Sequence, residues 1–163
     1  MSCIISPVVG PDAAEVLTDL VPRLYRVLRS ALDEDAALPS LEQLRVMARI
    51  EEGVRHASEL ALVRDMRVSA ITPLVDGLDE RGWLVRRRGR PDRRSVELSL
   101  TPAGRRALAA GRRRASGRLR EVLGHVPAAD RATLGDLAGV LAEAVSRYDA
   151  ARLAALQDRP LAR

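Results

Sequence analysis

Between residues 83 and 100 the spacing of apolar residues changes from a helical period to strict alternation. The segment Ser95-Val96-Glu97-Leu98-Ser99-Leu100 alternates polar and apolar side chains, which predicts a half-buried strand. A second strand is expected over residues 83–88, because the intervening Gly89-Arg90-Pro91-Asp92 has the residue types of a turn. The sequence therefore predicts one β-hairpin in a chain whose other periodic segments are helical.

Apolar residues recur every three or four positions through the rest of the chain, which predicts six helices. The expected ranges are 12–36, 41–52, 56–65, 68–81, 102–126 and 127–157. Ser40 and Gln43 have the spacing of a capping box, and Gly53 and Gly82 are typical C-terminal caps. Pro22 lies inside the first helix, where a kink or a break is expected.

Two short helices followed by a hairpin are typical of a helix-turn-helix with a wing. Trp83 is expected to pack between this wing and the core. The last helix is expected to bury Leu134, Leu137, Val140, Leu141, Ala144 and Val145. The first and last helices carry wider apolar stripes than such a core can cover, which predicts a symmetric homodimer. The predicted class is mainly α (α+β): a winged helix-turn-helix with N- and C-terminal dimerisation helices.

Positive charge is concentrated in one part of the chain. The protein has 163 residues, the length of one ordinary domain, and a formal net charge of +5. Residues 83–120 contain thirteen arginines and two acidic residues, whereas residues 1–40 contain three arginines and six acidic residues. This distribution predicts a polyanionic partner. The tripeptide Arg112-Arg113-Arg114 is interpreted as a solvated helix face.

Several functional classes have no support in the sequence. No apolar run reaches the roughly 18 residues of a membrane span, and the N-terminus does not resemble a signal peptide. The single cysteine, Cys3, fits a cytoplasmic protein, and with His56 and His125 it makes too few ligands for a metal site. No phosphate-binding loop and no paired nucleophile and base occur. We therefore expect no catalytic residues, no metal and no cofactor.

Four segments, in this order and spacing, resemble the MarR family of bacterial transcriptional regulators. They are Ser58-Glu59-Leu60-Ala61, Ile71-Thr72-Pro73-Leu74-Val75-Asp76-Gly77-Leu78-Asp79-Glu80-Arg81-Gly82, Asp92-Arg93-Arg94 and Leu100-Thr101-Pro102-Ala103-Gly104. The resemblance spans residues 12–157 and implies a homodimer that binds double-stranded DNA at a near-palindromic operator. It also implies a transcriptional repressor that leaves the DNA when a small-molecule effector binds. The implied parts are a winged helix-turn-helix core at 41–104 and dimerisation helices at 12–36 and 105–157.

Two groups of residues are the candidate DNA contacts. The exposed face of the recognition helix is expected to meet the major groove with Arg67, Ser69, Ala70, Thr72 and Pro73. The wing tip is expected to place Arg90, Arg93 and Arg94 at the minor groove and the phosphates, with Asp92 holding Arg94.

The start of the recognition helix is less clear from the sequence. Arginine accepts no hydrogen bond, so Asp65 or Ser69 is expected to cap this helix in place of Arg67. Pro73 fits the first turn if the helix begins near Ser69. For an effector pocket the candidates are Tyr25 and His56, although core packing is the favoured interpretation of Tyr25 and a structural role near a helix N-terminus that of His56. The alternative function is a winged-helix module that binds protein partners without specific DNA binding.

Overall fold

The part of the chain that the structure describes folds into six helices and one antiparallel hairpin. The computed structural model describes residues 12–64, 66–88 and 96–157. The elements are α1 (Ala13–Asp33), α2 (Leu41–Glu51), α3 (Ala57–Val63), α4 (Val68–Glu80), β1 (Leu84–Arg88), β2 (Val96–Leu100), α5 (Pro102–Leu123) and α6 (Ala128–Gln157). In the hairpin, Leu84 lies opposite Leu100 and Arg88 opposite Val96. The predicted fold class is confirmed.

The helices begin where polar side chains cap their free N–H groups. Asp12 accepts a hydrogen bond of 3.0 Å from the amide of Ala14 at the start of α1. Ser40 and Gln43 form the predicted capping box, with hydrogen bonds of 3.2 and 3.1 Å in the two directions. Gly53 has a φ of 111° immediately after α2, a conformation that favours glycine.

One apolar core joins the helix-turn-helix to the hairpin and to the ends of the long helices. The recognition helix α4 contributes Ile71, Val75 and Leu78, and α2 contributes Val46 and Met47. Leu32 of α1, Leu60 of α3 and Leu108 of α5 are also fully buried. The α1 and α5 helices thus each contribute to this core, α1 with Ala31 beside Leu32 and α5 with Ala107 beside Leu108, and α1 also packs along α5.

The segment Leu100–Gly104 fastens the hairpin to α5. The Thr101 hydroxyl donates to the carbonyl of Gly82 at 2.7 Å and accepts from the amide of Gly104 at 2.9 Å. The Thr101 amide donates to the carbonyl of Trp83 at 3.0 Å. Trp83 is 9% exposed and belongs to the core, as expected. This arrangement brings the first turn of α5 against the backbone of Trp83. Packing therefore explains the sequence Leu100-Thr101-Pro102-Ala103-Gly104.

Replacing Gly104 with alanine should destabilise the protein by about 2–3 kcal/mol, as overpacking of a tight site does. A Cβ at this position would lie 2.8 Å from the carbonyl carbon of Trp83 and closer still to its oxygen. Urea unfolding measures the effect. Gly117→Ala in the same helix is the matched control, because no atom lies within 4 Å of its added Cβ. This control should leave stability unchanged or raise it by up to about 1 kcal/mol, since alanine favours helices. Equal stabilities for the two variants would contradict the prediction.

The structure changes some of the expected helix bounds and burial. The α1 helix continues through Pro22, so the break, one of the two expected outcomes, does not occur; the carbonyl of Thr18, which loses its helical donor, belongs to an exposed residue that water can reach. The third and fifth helices end at Val63 and Leu123, two or three residues before the expected ends. The apolar face of α6 is not buried: in the single chain Leu137 and Val140 are 61% and 63% exposed. The described residues contain no helix with the length and apolar character needed to cross a membrane.

Candidate nucleic-acid interface

The helices α3 and α4 form a helix-turn-helix in which α4 exposes one face. Its apolar residues Ile71, Val75 and Leu78 lie in the core. The opposite face carries the five residues singled out from the sequence, and all five are exposed: Arg67, Ser69, Ala70, Thr72 and Pro73. This face combines a positive charge, two hydroxyl groups and two apolar side chains. Such a set is able to meet phosphates, base edges and thymine methyl groups.

The start of α4 differs from the expectation. The helix begins at Val68 with Arg67 in the cap position, and within the described ranges no side chain caps its free N–H groups. Ser69 lies inside the first turn and does not cap the helix, and Asp65 lies outside the described residues. The first amides of α4 thus face outward beside an arginine. An uncapped helix N-terminus is a favourable place for a phosphate group.

Pro73 lies in the second turn of α4, not in the first turn as expected. It has no N–H group, so the carbonyl of Ser69 lacks its helical donor. The Thr72 hydroxyl donates to the carbonyl of Val68 at 3.0 Å. Its oxygen is therefore left as an acceptor, which restricts the base-edge groups that Thr72 could read to donors such as the amino groups of adenine and cytosine.

An ion-pair cluster fixes the base of the hairpin on α4. Arg86 of β1 forms ion pairs with Asp76 and with Asp79, the latter at 3.1 Å. Both acids belong to α4, so the strand that leads to the wing tip is tied to the recognition helix. No pattern in the sequence indicated this cluster. The candidate wing residues Arg90, Asp92, Arg93 and Arg94 lie outside the described residues.

The basic stretch is not one continuous positive surface. Arg112 pairs with Glu51 at 2.6 Å, and Arg118 pairs with Glu34 at 2.8 Å. Arg114 also pairs with Glu34 and donates to the carbonyl of Ala31 at 3.1 Å. Arg112, Arg113 and Arg114 are all exposed, in agreement with the interpretation of this tripeptide as a solvated helix face, and Arg112 and Arg114 carry ion pairs there. These pairs fasten α5 to α1 and α2 and neutralise part of the charge that the sequence suggested.

Comparison with known proteins agrees with this geometry. No protein-family model matches the chain. Over 97 residues, 60% of this chain and 67% of the relative, it is 27% identical to YpoP of Bacillus subtilis, an uncharacterized HTH-type transcriptional regulator. The structure of apo MarR from E. coli matches with a TM-score of 0.68 at 22% identity, covering 79% of this chain and 96% of MarR. The chain has the MarR-type winged-helix fold. The repressor CouR, solved on a 23-mer DNA duplex, matches with a TM-score of 0.62 at 24% identity, over 79% of this chain and 92% of CouR.

Within this MarR-type fold the two candidate pocket residues have separate partners. The Tyr25 hydroxyl donates to the Glu42 carboxylate at 2.8 Å and so connects α1 with α2. His56 precedes α3, and its Nδ1 lies 3.1 Å from the carbonyl of Val96 at the base of the hairpin. The Glu59 carboxylate accepts from the His56 amide at 3.1 Å. The structure therefore gives both residues hydrogen-bonding roles and does not bring them into one network. Tyr25 is 37% exposed, so the core packing expected for it is wrong.

Glu42 is the centre of a polar network that connects three helices. Its carboxylate accepts from Tyr25 and pairs with Arg64, and Arg45 lies 3.5 Å away. Burial raises the pKa of Glu42, but the hydrogen bonds and positive charges of its partners outweigh this effect and hold the pKa below its usual value. The same carboxylate raises the pKa of Tyr25 by hydrogen bonding. The network thus favours the ionised form of Glu42.

Acid should remove the contribution of Glu42 to stability. A carboxyl group whose pKa is lower in the folded state stabilises the protein above its unfolded pKa and loses this effect as pH falls through the folded value. At pH 7 we expect Glu42→Gln to be less stable than the wild type by roughly 1–3 kcal/mol, below the range for a fully buried pair. The reason is that the Glu42 side chain remains 32% exposed.

The difference in unfolding free energy between the wild type and Glu42→Gln should shrink as pH falls below 4.5, the usual pKa of glutamate. Urea unfolding between pH 7 and pH 3 measures it. Glu143→Gln on α6 is the control, because Glu143 is exposed and has no ion pair within the described ranges. If the difference in stability between the wild type and Glu42→Gln stays constant with pH, the ionised carboxylate of Glu42 does not stabilise the fold.

Proposed function

We propose that this protein is a sequence-specific DNA-binding transcriptional regulator. The observation that carries the proposal is the exposed face of α4, which is free of acidic side chains from Arg67 to Pro73 in a MarR-type fold. The DNA-bound CouR structure and the HTH-type relative YpoP support it. Arg90, Arg93 and Arg94 would add backbone and minor-groove contacts from the wing, with Asp92 orienting Arg94. Such a regulator would act in the cytoplasm.

We propose further that the protein acts as a homodimer. Two helices leave apolar stripes uncovered: α1 exposes Val16, Leu20 and Val21, and α6 exposes Leu134, Leu137, Val140, Leu141 and Val145. Stripes of this size on two long helices favour a symmetric interface with a second copy. In this arrangement residues 12–36 and 105–157 serve dimerisation, and residues 41–104 form the DNA-binding lobe.

The finer proposal is a repressor that a small-molecule effector releases. A cleft of about 540 Å³ lies between α2, α3 and α6, in the size range of small-molecule sites. Its walls include Arg45, Arg49 and Arg64 together with Val63 and Val145. Glu52 and Asp149 also line the cleft and pair with Arg49 at 2.9 and 3.6 Å, so a small acid would bind there by replacing these carboxylates on the arginine. Because Asp149 belongs to α6, such binding would change how α6 contacts α2. This cleft replaces Tyr25 and His56 as the favoured effector site.

Selection of bound duplexes from a random DNA pool tests the function. We expect an inverted repeat with half-sites about 10 base pairs apart, because two recognition helices of a symmetric dimer enter successive major grooves. Binding to the selected duplex should fall steeply with salt and exceed binding to a scrambled duplex. Direct repeats or a single half-site would contradict the dimer proposal. No salt-dependent binding to any duplex would favour the protein-interaction module instead.

A further inference from the structure

Arg64 carries a buried charge at the turn of the helix-turn-helix. It ends α3, and its side chain is only 6% exposed. The guanidinium pairs with the Glu42 carboxylate, and its Nη1 donates to the Glu42 carbonyl at 3.3 Å. Its Nε has no hydrogen-bond partner in the described part of the chain. A buried guanidinium depends strongly on its counter-charge, so Glu42 determines where this end of α3 lies.

The first turn of α4 has little local support. Arg67 makes no side-chain cap at its N-terminus, and Pro73 leaves the carbonyl of Ser69 without a helical donor. The preceding turn is held by backbone hydrogen bonds from Met66 to Ala61 at 2.9 Å and from Ala70 to Arg67 at 2.9 Å. The orientation of the exposed face of α4 therefore depends on the turn that begins at Arg64.

The position of Glu42, the partner of Arg64 in this ion pair, is fixed by α2 and by a hydrogen bond from α1. It lies in the first turn of α2, between the buried Leu41 and Leu44, and accepts a hydrogen bond from Tyr25 of α1 at 2.8 Å. We propose that Arg64 is a positioning residue for the recognition helix: through Glu42 it fixes the turn before α4 relative to α2 and α1. This inference rests on the proposed function, since its consequence is the discrimination between operator and other DNA.

The test compares two variants of the full-length protein by hydrogen–deuterium exchange and by DNA binding. Glu42→Gln keeps the shape but removes the counter-charge, and the double variant Glu42→Leu/Arg64→Met replaces the pair with apolar side chains. We expect the hydrogen-bonded amides within residues 66–72, such as those of Met66 and Ala70, to exchange about tenfold faster in both variants relative to the amides of residues 44–50, whose exchange reports the change in global stability. We also expect the ratio of affinities for selected and scrambled duplexes to fall about tenfold. The salt dependence should be unchanged, because the buried Arg64 is not available to phosphates.

Glu51→Gln is the matched control. It makes the same substitution on α2 and removes the counter-charge of Arg112 on α5, but the two side chains are 38% and 49% exposed, so exchange of residues 66–72 and discrimination should remain as in the wild type. Wild-type exchange of residues 66–72 in both test variants would overturn the inference, as would unchanged discrimination in a variant that binds the selected duplex. If the wild type itself does not distinguish the two duplexes, the proposed function fails, whereas the exchange rates still decide the role of Arg64.

Discussion

Replacing Leu137 and Val140 together with aspartate should convert the homodimer into folded monomers. Both side chains are more than 60% exposed in the single chain and do not belong to its core, so the fold of one subunit should tolerate the change. In a dimer the same positions would be covered, and a carboxylate buried without a partner is strongly unfavourable. Sedimentation equilibrium measures the mass, and circular dichroism checks that the helices remain.

Operator binding should fall with the loss of the dimer. Two half-site interactions on one rigid dimer reinforce each other, and separating them reduces affinity by roughly 10²–10⁴-fold. The matched control is Ala142→Asp/Ser146→Asp, which places two aspartates on the opposite face of the same exposed helix. This control should remain dimeric and bind the operator. A dimer that survives the change at Leu137 and Val140 would place the interface elsewhere.

The sequence predicted the elements that depend on local chemistry. The capping box at Ser40 and Gln43, the positive-φ glycines and the alternation in β2 are signals carried by neighbouring residues, and the structure contains each of them. Helical spacing also predicted the core of α4, because Ile71, Val75 and Leu78 repeat on one face. These local signals were sufficient for the fold class.

What the sequence did not predict depends on interactions between distant parts of the chain. Apolar spacing in α6 indicates that one face will be covered, but it does not say whether this chain or a second copy covers it, and in the single chain Leu137 remains 61% exposed. The pairs Arg64–Glu42 and Arg118–Glu34 join residues 22 and 84 positions apart. No periodic pattern links such partners. The same holds for Arg86, whose acids on α4 were not identified as its partners.

The wing and the recognition helix should affect DNA binding in different ways. Arg90 and Arg93 are expected to act mainly through charge on phosphates and the minor groove, so replacing either with alanine should weaken binding to all duplexes to a similar extent. Each neutralised phosphate contributes about 0.9 to the slope of log affinity against log salt. Removing one arginine–phosphate pair in each subunit should therefore lower the slope by about two. Arg94→Ala should behave like Asp92→Ala if these two residues hold the hairpin together.

Ser69→Ala and Thr72→Val remove no charge, so they should leave the salt slope nearly unchanged. They should instead reduce the preference for the operator over scrambled DNA by about 1–3 kcal/mol for each hydrogen bond to a base edge that the variant cannot form. Valine keeps the shape of Thr72 while removing its oxygen, which is the part left free to accept from a base once the hydroxyl has donated to Val68.

Binding of each variant to operator and scrambled duplexes across a salt series separates the two effects. Arg113→Ala is the control for charge alone, because this exposed arginine of α5 has no ion pair within the described ranges and lies outside the proposed interface. Its salt slope should stay close to that of the wild type. If Arg90→Ala and Arg93→Ala match this control in both affinity and slope, the wing does not contact DNA. DNA binding would then depend on α4 alone, and the interpretation of the arginine-rich residues 83–120 as a DNA-contacting segment would be wrong.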